Sequence, residues 1–255
     1  MDLNILDKNV LVTGGTRGIG LAAVRLFLAE GCRVSTCARS AIDKDSLNLP
    51  AEQASRLNVD AVDVSDHQAL KDWVEKSATA MRGVDILLAN VSGFSEGVAV
   101  EQWQKALDVD LLSTKIFIDA AAPYLTAAAA EKGEASVVAV SSASASLTMY
   151  ADAYGAMKAA LIHYIKGCSK DLAASGIRVN SISPGTIYFA GSDWEKTERN
   201  NPEVFKQALA MNPTGRMGSD KEVADAIVYL SSPRASFING ANIVIDGGLT
   251  SQLMI

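Results

Sequence analysis

The chain has 255 residues, 49% hydrophobic and 20% charged, with a formal net charge of −6. That size sustains one substantial core. The absence of a basic run or basic–aromatic interleaving argues against a nucleic-acid surface. No stretch approaches the roughly eighteen apolar residues of a membrane span, and the N-terminus has no signal-like apolar segment, so the expectation is a cytoplasmic protein with no membrane partner.

Val10-Leu11-Val12 reads as a short buried strand. Ile19, Ala22, Ala23, Leu26 and Phe27 then recur at helical spacing up to Glu30, with Gly31 where a helix cap belongs. Between them Thr13-Gly14-Gly15-Thr16-Arg17-Gly18-Ile19-Gly20 is a turn with four glycines in seven residues. Glycine permits positive φ and brings backbone N–H groups close to a ligand, and a following helix N-terminus favours an anion such as a pyrophosphate. The same residues also suit a ligand-free strand–helix turn.

Arg33 to Cys37 is a second strand, ending in Ala38-Arg39-Ser40. Dinucleotide folds place an acidic residue at this strand end to bind the ribose hydroxyls of NAD; here Arg39 stands in its place and Arg17 projects from the glycine turn. Each alone reads equally well as a solvated surface arginine. Two guanidinium groups converging on one ribose suit a 2′-phosphate, and favour NADP(H) over NAD(H).

Residues 43 to 56 read as a short or irregular helix, and Asn58 to Val62 as a third strand. Ser65 or Asp66 caps a helix running to about Ala80, with Leu70, Trp73 and Val74 inward. Val84 to Ala89 is a fourth strand, opening into Asn90-Val91-Ser92-Gly93. Two helical stretches follow, Glu101 to about Leu112 and Ser113 to about Ala130; the second is apolar almost all round, which predicts burial on most sides. Ser136 to Val140 and Arg178 to Ser183 are further strands, and residues 188 to 215 form a long insertion carrying Tyr188, Phe189, Trp194, Phe205 and Met211. Such an insertion reads equally as a substrate lid or as ordinary packing of short helices. A helix from Asp220 to about Leu230 and a strand at Asn242 to Ile245 complete the chain. Alternation of strand and helix, with no linker or repeat, predicts an α/β fold: one Rossmann-like, doubly wound parallel sheet over residues 1 to 255.

Cys32, Cys37 and Cys168 form no C-x-x-C pair and read as reduced thiols; His67 and His163 are too few and too scattered for a metal site.

Tyr154 and Lys158 lie four residues apart, on one face of a predicted helix reaching about Ala174. A nearby ammonium favours a phenolate, so the pair suits proton exchange with a carbonyl or alcohol oxygen. The spacing alone is common in surface pairs, but here it follows Val140-Ser141-Ser142 at a strand's carboxyl end, where α/β sheets carry their sites.

The glycine turn, the serine pair, Tyr154, Lys158 and Pro184-Gly185 together, in this order across nearly the whole chain, resemble the short-chain dehydrogenase/reductase family, and are similar to its 3-oxoacyl-ACP reductase-like members. The resemblance implies Tyr154 as proton donor and acceptor. It implies that Lys158 holds the nicotinamide ribose and that a serine, Ser142 or Ser141, bonds the substrate oxygen; Ser142 has the place relative to the strand end, Ser141 the distance from Tyr154. Cofactor contacts implied are Gly14, Thr16, Arg17, Gly18, Ile19, Gly20, Arg39, Asp63, Val64, Asn90, Tyr154, Lys158, Pro184, Gly185 and Ile187, with no metal. In the family the second apolar helix packs between subunits, which implies a homo-oligomer, tetramer or dimer.

Three departures stand out. Asn90-Val91-Ser92-Gly93 keeps only the first and last residues of the family's Asn-Asn-Ala-Gly, Phe189 replaces a frequent threonine, and Asp110 stands where an active-site asparagine is usual. The expectation is an NADP(H)-dependent oxidoreductase interconverting a secondary alcohol and a ketone, with a small-molecule substrate of apolar body near Phe94, Leu147, Met149, Tyr150, Tyr188 and Trp194. The alternative is a dinucleotide-binding regulatory or scaffold protein that has lost turnover, which a ketone panel would separate.

Overall fold

In the computed structural model, which describes residues 2–94, 97–148 and 151–251, seven strands form one parallel sheet in the order β3-β2-β1-β4-β5-β6-β9. These are β1 (Asn9–Thr13), β2 (Arg33–Ala38), β3 (Leu57–Ala61), β4 (Ile86–Ala89), β5 (Ala135–Val140), β6 (Ile177–Pro184) and β9 (Asn242–Ile245). The strands read as near-continuous aliphatic runs because helices cover both faces. Val10 and Val12 point to one side, against Phe27, Val223 and Ile227; Leu11 points to the other, against Trp73, Phe117, Leu161 and Ile165. The first side carries α1 (Gly18–Ala29) and α9 (Asp220–Ser231), the second α3 (His67–Met81), α5 (Ser113–Lys132) and α6 (Ala153–Asp171). Trp73 and Phe117 stack with ring centroids 5.8 Å apart, joining α3 to α5.

Strand order reverses between β1 and β4, where Thr13 lies opposite Ala89. At such a switch point the loops leave in opposite directions and open a crevice at the carboxyl ends of the strands. The glycine turn after β1 and Asn90 after β4 therefore meet.

Several elements differ from the sequence reading. Residues 43 to 56 split into a 3₁₀ turn (Lys44–Leu47) and a short α2 (Ala51–Ser55). Asp66 caps α3, accepting from the N–H groups of Gln68 and Ala69 at 3.1 and 3.0 Å, whereas Ser65 donates its hydroxyl to Asp63. The stretch before α5 is one continuous run, α4 (Val100–Ala106) passing through a π-helical turn (Leu107–Leu112) into α5. Helix α5 buries only one face within the chain, through Phe117, Ile118, Ala121 and Leu125; Ile116, Ala120 and Tyr124 stay half-buried, and Lys115 pairs with Asp119 in solvent. The insertion holds β7 (Ile187–Tyr188), paired with β8 (Gly218–Ser219), then α7 (Asp193–Asn200) and α8 (Pro202–Ala210). Neither helix is deeply packed: α7 fully buries no residue and α8 only Ala208.

Candidate active site

The glycine turn is shaped by contacts that leave no room for side chains. A Cβ on Gly20 would lie 2.2 Å from the Gly14 carbonyl oxygen, and one on Gly15 2.2 Å from Thr36 Oγ1. Gly14 and Gly18 adopt φ of +71° and +51°, a region other residues rarely enter. Thr36 braces the turn from β2, accepting from Gly15 N–H at 3.0 Å and donating to the Val12 carbonyl at 2.8 Å. Asn90 braces it from β4, its amide donating to the carbonyls of Thr13 (3.3 Å) and Gly14 (3.0 Å). These threonine and asparagine braces leave no periodic signal and are found only once β1, β2 and β4 are aligned.

Arg17 is the N-cap residue of α1 and gives no side-chain hydrogen bond to the N–H groups of the first turn. An uncapped helix N-terminus behind a turn of glycines fits the pyrophosphate of a dinucleotide. Arg17 and Arg39 are both exposed, and β2 ends without an acid, in Ala38-Arg39-Ser40. Beyond β3, Ser65 donates to Asp63 through its hydroxyl (2.7 Å) and N–H (3.0 Å); these bonds, with a smaller contribution from Arg39, hold the Asp63 carboxyl below its ordinary range. Val64 is buried beside it. Phe189 packs its ring on the glycine turn, where a Cβ added to Gly18 would come within 2.5 Å of it. Pro184 ends β6, Gly185 donates its N–H to the Ile245 carbonyl at 3.0 Å, and Ile187 is buried in β7.

The chemical residues converge at the ends of β4 and β5. Asp152 caps α6 by accepting from Gly155 N–H at 2.7 Å, so the helix starts at Ala153 and Tyr154 sits in its first turn, half-buried. One turn on, Lys158 is 1% exposed, its Nζ donating to the Val140 carbonyl at 3.1 Å and lying 5.7 Å from the Tyr154 ring centroid. Asp110, 0% exposed, completes the group: its Oδ1 lies 3.2 Å from Lys158 Nζ. The two are buried as partners, and removing either would strand the other in a low dielectric. The π-helical turn at 107–112 brings Asp110 inward, consistent with the frequent use of such turns at functional sites.

The serines divide. Ser141 is buried and donates its hydroxyl to the Lys158 main-chain carbonyl at 2.9 Å, helping to seat α6. Ser142 is half-exposed; its Oγ accepts from Ser144 N–H at 3.1 Å, which leaves its O–H free to donate outward. Phe94 stacks on Tyr154, centroids 5.2 Å apart and planes within 18°. Tyr188 instead donates to Glu198 at 2.5 Å, and that carboxylate pushes its phenol up, away from proton transfer near neutrality. Met149 and Tyr150 lie outside the described residues. The described residues include no cluster able to hold a metal, and no helix long and apolar enough to cross a membrane.

Comparison with known proteins agrees with this fold. A family model described as enoyl-(acyl carrier protein) reductase matches residues 14–250. The chain is 36% identical over 253 residues to an isoepoxydon dehydrogenase of Aspergillus clavatus, covering 96% of each. It is 32% identical over 256 residues to a 3-oxoacyl-[acyl-carrier-protein] reductase of Thermotoga maritima, covering 97% of this chain and 99% of that protein. Among solved structures, L-sorbose reductase of Gluconobacter frateurii, complexed with NADPH and L-sorbose, superposes with a TM-score of 0.89 at 28% identity, covering 99% of this chain and 100% of the other.

Proposed function

The chain belongs to the short-chain dehydrogenase/reductase family, and from that premise we propose that it is an NADP(H)-dependent oxidoreductase interconverting a secondary alcohol and a ketone, with Tyr154 as general acid/base. One observation carries this reading: a half-buried tyrosine stands over a fully buried lysine that is fixed by Asp110 and the Val140 carbonyl. These partners hold the amine beside the tyrosine, the geometry a general acid/base pair needs.

The nicotinamide supplies or accepts the hydride when bound. Gly14, Thr16, Gly18, Ile19 and Gly20 would hold the pyrophosphate, Arg17 and Arg39 the 2′-phosphate, and Asp63 and Val64 the adenine. Asn90 and Lys158 would hold the nicotinamide ribose, with Pro184, Gly185 and Ile187 at the carboxamide. Tyr154 gives a proton to the substrate oxygen during reduction and takes it back during oxidation. Ser142 steadies that oxygen with its hydroxyl, and Ser141 seats α6 behind it. The names of the relatives, dehydrogenases and reductases of alcohol and ketone groups, support the reaction class, and the NADPH in the sorbose reductase supports the cofactor. The chain acts as one domain, with α7 and α8 as substrate cover and a homo-oligomer as the working form.

The decisive test is NADPH oxidation measured against a broad panel of carbonyl compounds. Turnover of at least one ketone, reduced roughly a hundredfold or more in Tyr154→Phe, is the expected result. NADPH binding without turnover of any carbonyl would favour a regulatory protein.

A further inference from the structure

Phe94 is the one large hydrophobic residue among the described residues with a left-handed backbone, at φ +42°. A bulky side chain is strained there, and strain of this kind persists only where surrounding contacts impose it. The contacts come from Asp110 and Ser92. Gly93 N–H donates to both carboxylate oxygens of Asp110, at 3.3 and 3.2 Å, and Phe94 N–H donates to Ser92 Oγ at 3.2 Å. The same Asp110 is paired with Lys158. One buried carboxylate thus fixes both the lysine under Tyr154 and the turn that carries Phe94.

The outcome is a ring laid parallel to Tyr154 on one face while the side chain remains 55% exposed. Its free area adjoins the tyrosine whose hydroxyl meets the substrate oxygen. We infer that Phe94 is a specificity-determining residue, held by Asp110 in a strained turn against Tyr154, which selects substrates with a flat apolar group next to the reacting carbonyl. A flat group gains ring-on-ring contact there that a short alkyl group cannot match.

The inference rests on the oxidoreductase reading, and two methyl ketones that differ only in the second substituent test it: acetophenone and butanone. The wild type should show the higher kcat/KM for acetophenone. Phe94→Ala should narrow that ratio by about three- to tenfold, the range expected of one aromatic pair. Asp110→Ala, which frees the turn, should narrow it likewise, whereas Asp110→Asn keeps an amide oxygen for Gly93 N–H and should retain the preference even as its turnover falls. Independently of activity, Phe94→Gly should melt above Phe94→Ala, because glycine relieves the positive φ. Turnover of both ketones with a ratio unmoved by Phe94→Ala would overturn the role of Phe94 and leave the oxidoreductase reading standing. Turnover of neither by the wild type would overturn both, and an alanine variant melting above the glycine one would remove the strain on which the placement rests.

Discussion

The two sides of the crevice are built by different means. On the β1–β2 side the site is backbone: glycines whose Cβ atoms would collide with Gly14 O, Thr36 or Phe189, and a helix end left without a side-chain cap. On the β4–β5 side it is side chains: Asp110, Lys158, Tyr154 and Phe94, drawn from three separate segments into one connected group, with Ser142 half-exposed at the end of β5. The first arrangement suits a constant ligand, because main-chain groups cannot be exchanged by mutation. The second suits chemistry and choice of substrate, because each side chain is replaceable without moving the sheet.

If this division is correct, damage to the two sides separates cleanly. The largest effect is expected from Tyr154→Phe, which keeps the ring and its stack on Phe94 but removes the proton. Turnover should fall by roughly 10² to 10⁴ while NADPH affinity by fluorescence titration stays within a few-fold. Near-wild-type turnover would remove Tyr154 from the mechanism.

Gly20→Ala should do the converse. Its Cβ meets the Gly14 carbonyl oxygen at 2.2 Å, so main chain must shift. A loss of about 1–3 kcal/mol in stability is the usual consequence of such overpacking, with NADPH affinity falling alongside. Unchanged melting and unchanged affinity would mean that the turn yields to an added methyl group.

On the same side, NADPH should bind at least tenfold more tightly than NADH, about 1.4 kcal/mol, and Arg39→Ala should remove most of that preference. Equal affinities for the two cofactors in the wild type would show that the arginines at the ends of β1 and β2 read no phosphate.

The smallest expected effect belongs to neither side. Burial pushes the Cys32 and Cys37 thiols up from 9.0 to about 12. Because the folded value exceeds the unfolded one, the stability tied to the neutral thiols is intact below pH 9 and drains away as the pH rises toward 12. Melting temperature should therefore decline above pH 9, and iodoacetamide at pH 8 should leave both residues unmodified until the chain is unfolded. Rapid alkylation of the native protein would contradict their burial.

The sequence alone determined the sheet, the glycine turn and the Tyr154–Lys158 pair, because each depends on local rules: aliphatic runs in strands covered on both faces, glycine where φ is positive or a Cβ has no room, and four-residue spacing on a helix. It also singled out Asp110 as a departure from its family. Only the tertiary structure decided what Asp110 does, since its partners, Lys158 and Gly93, lie 48 and 17 residues away and are joined to it by a π-helical turn with no periodic signature. The same holds for the serines: one residue of register at the end of β5 turns Ser141 inward to the Lys158 carbonyl and leaves Ser142 half-exposed. Helix α5 shows the limit of composition. It predicted burial on most sides, and the chain by itself supplies neighbours for one face, because composition counts apolar residues and packing counts what lies against them.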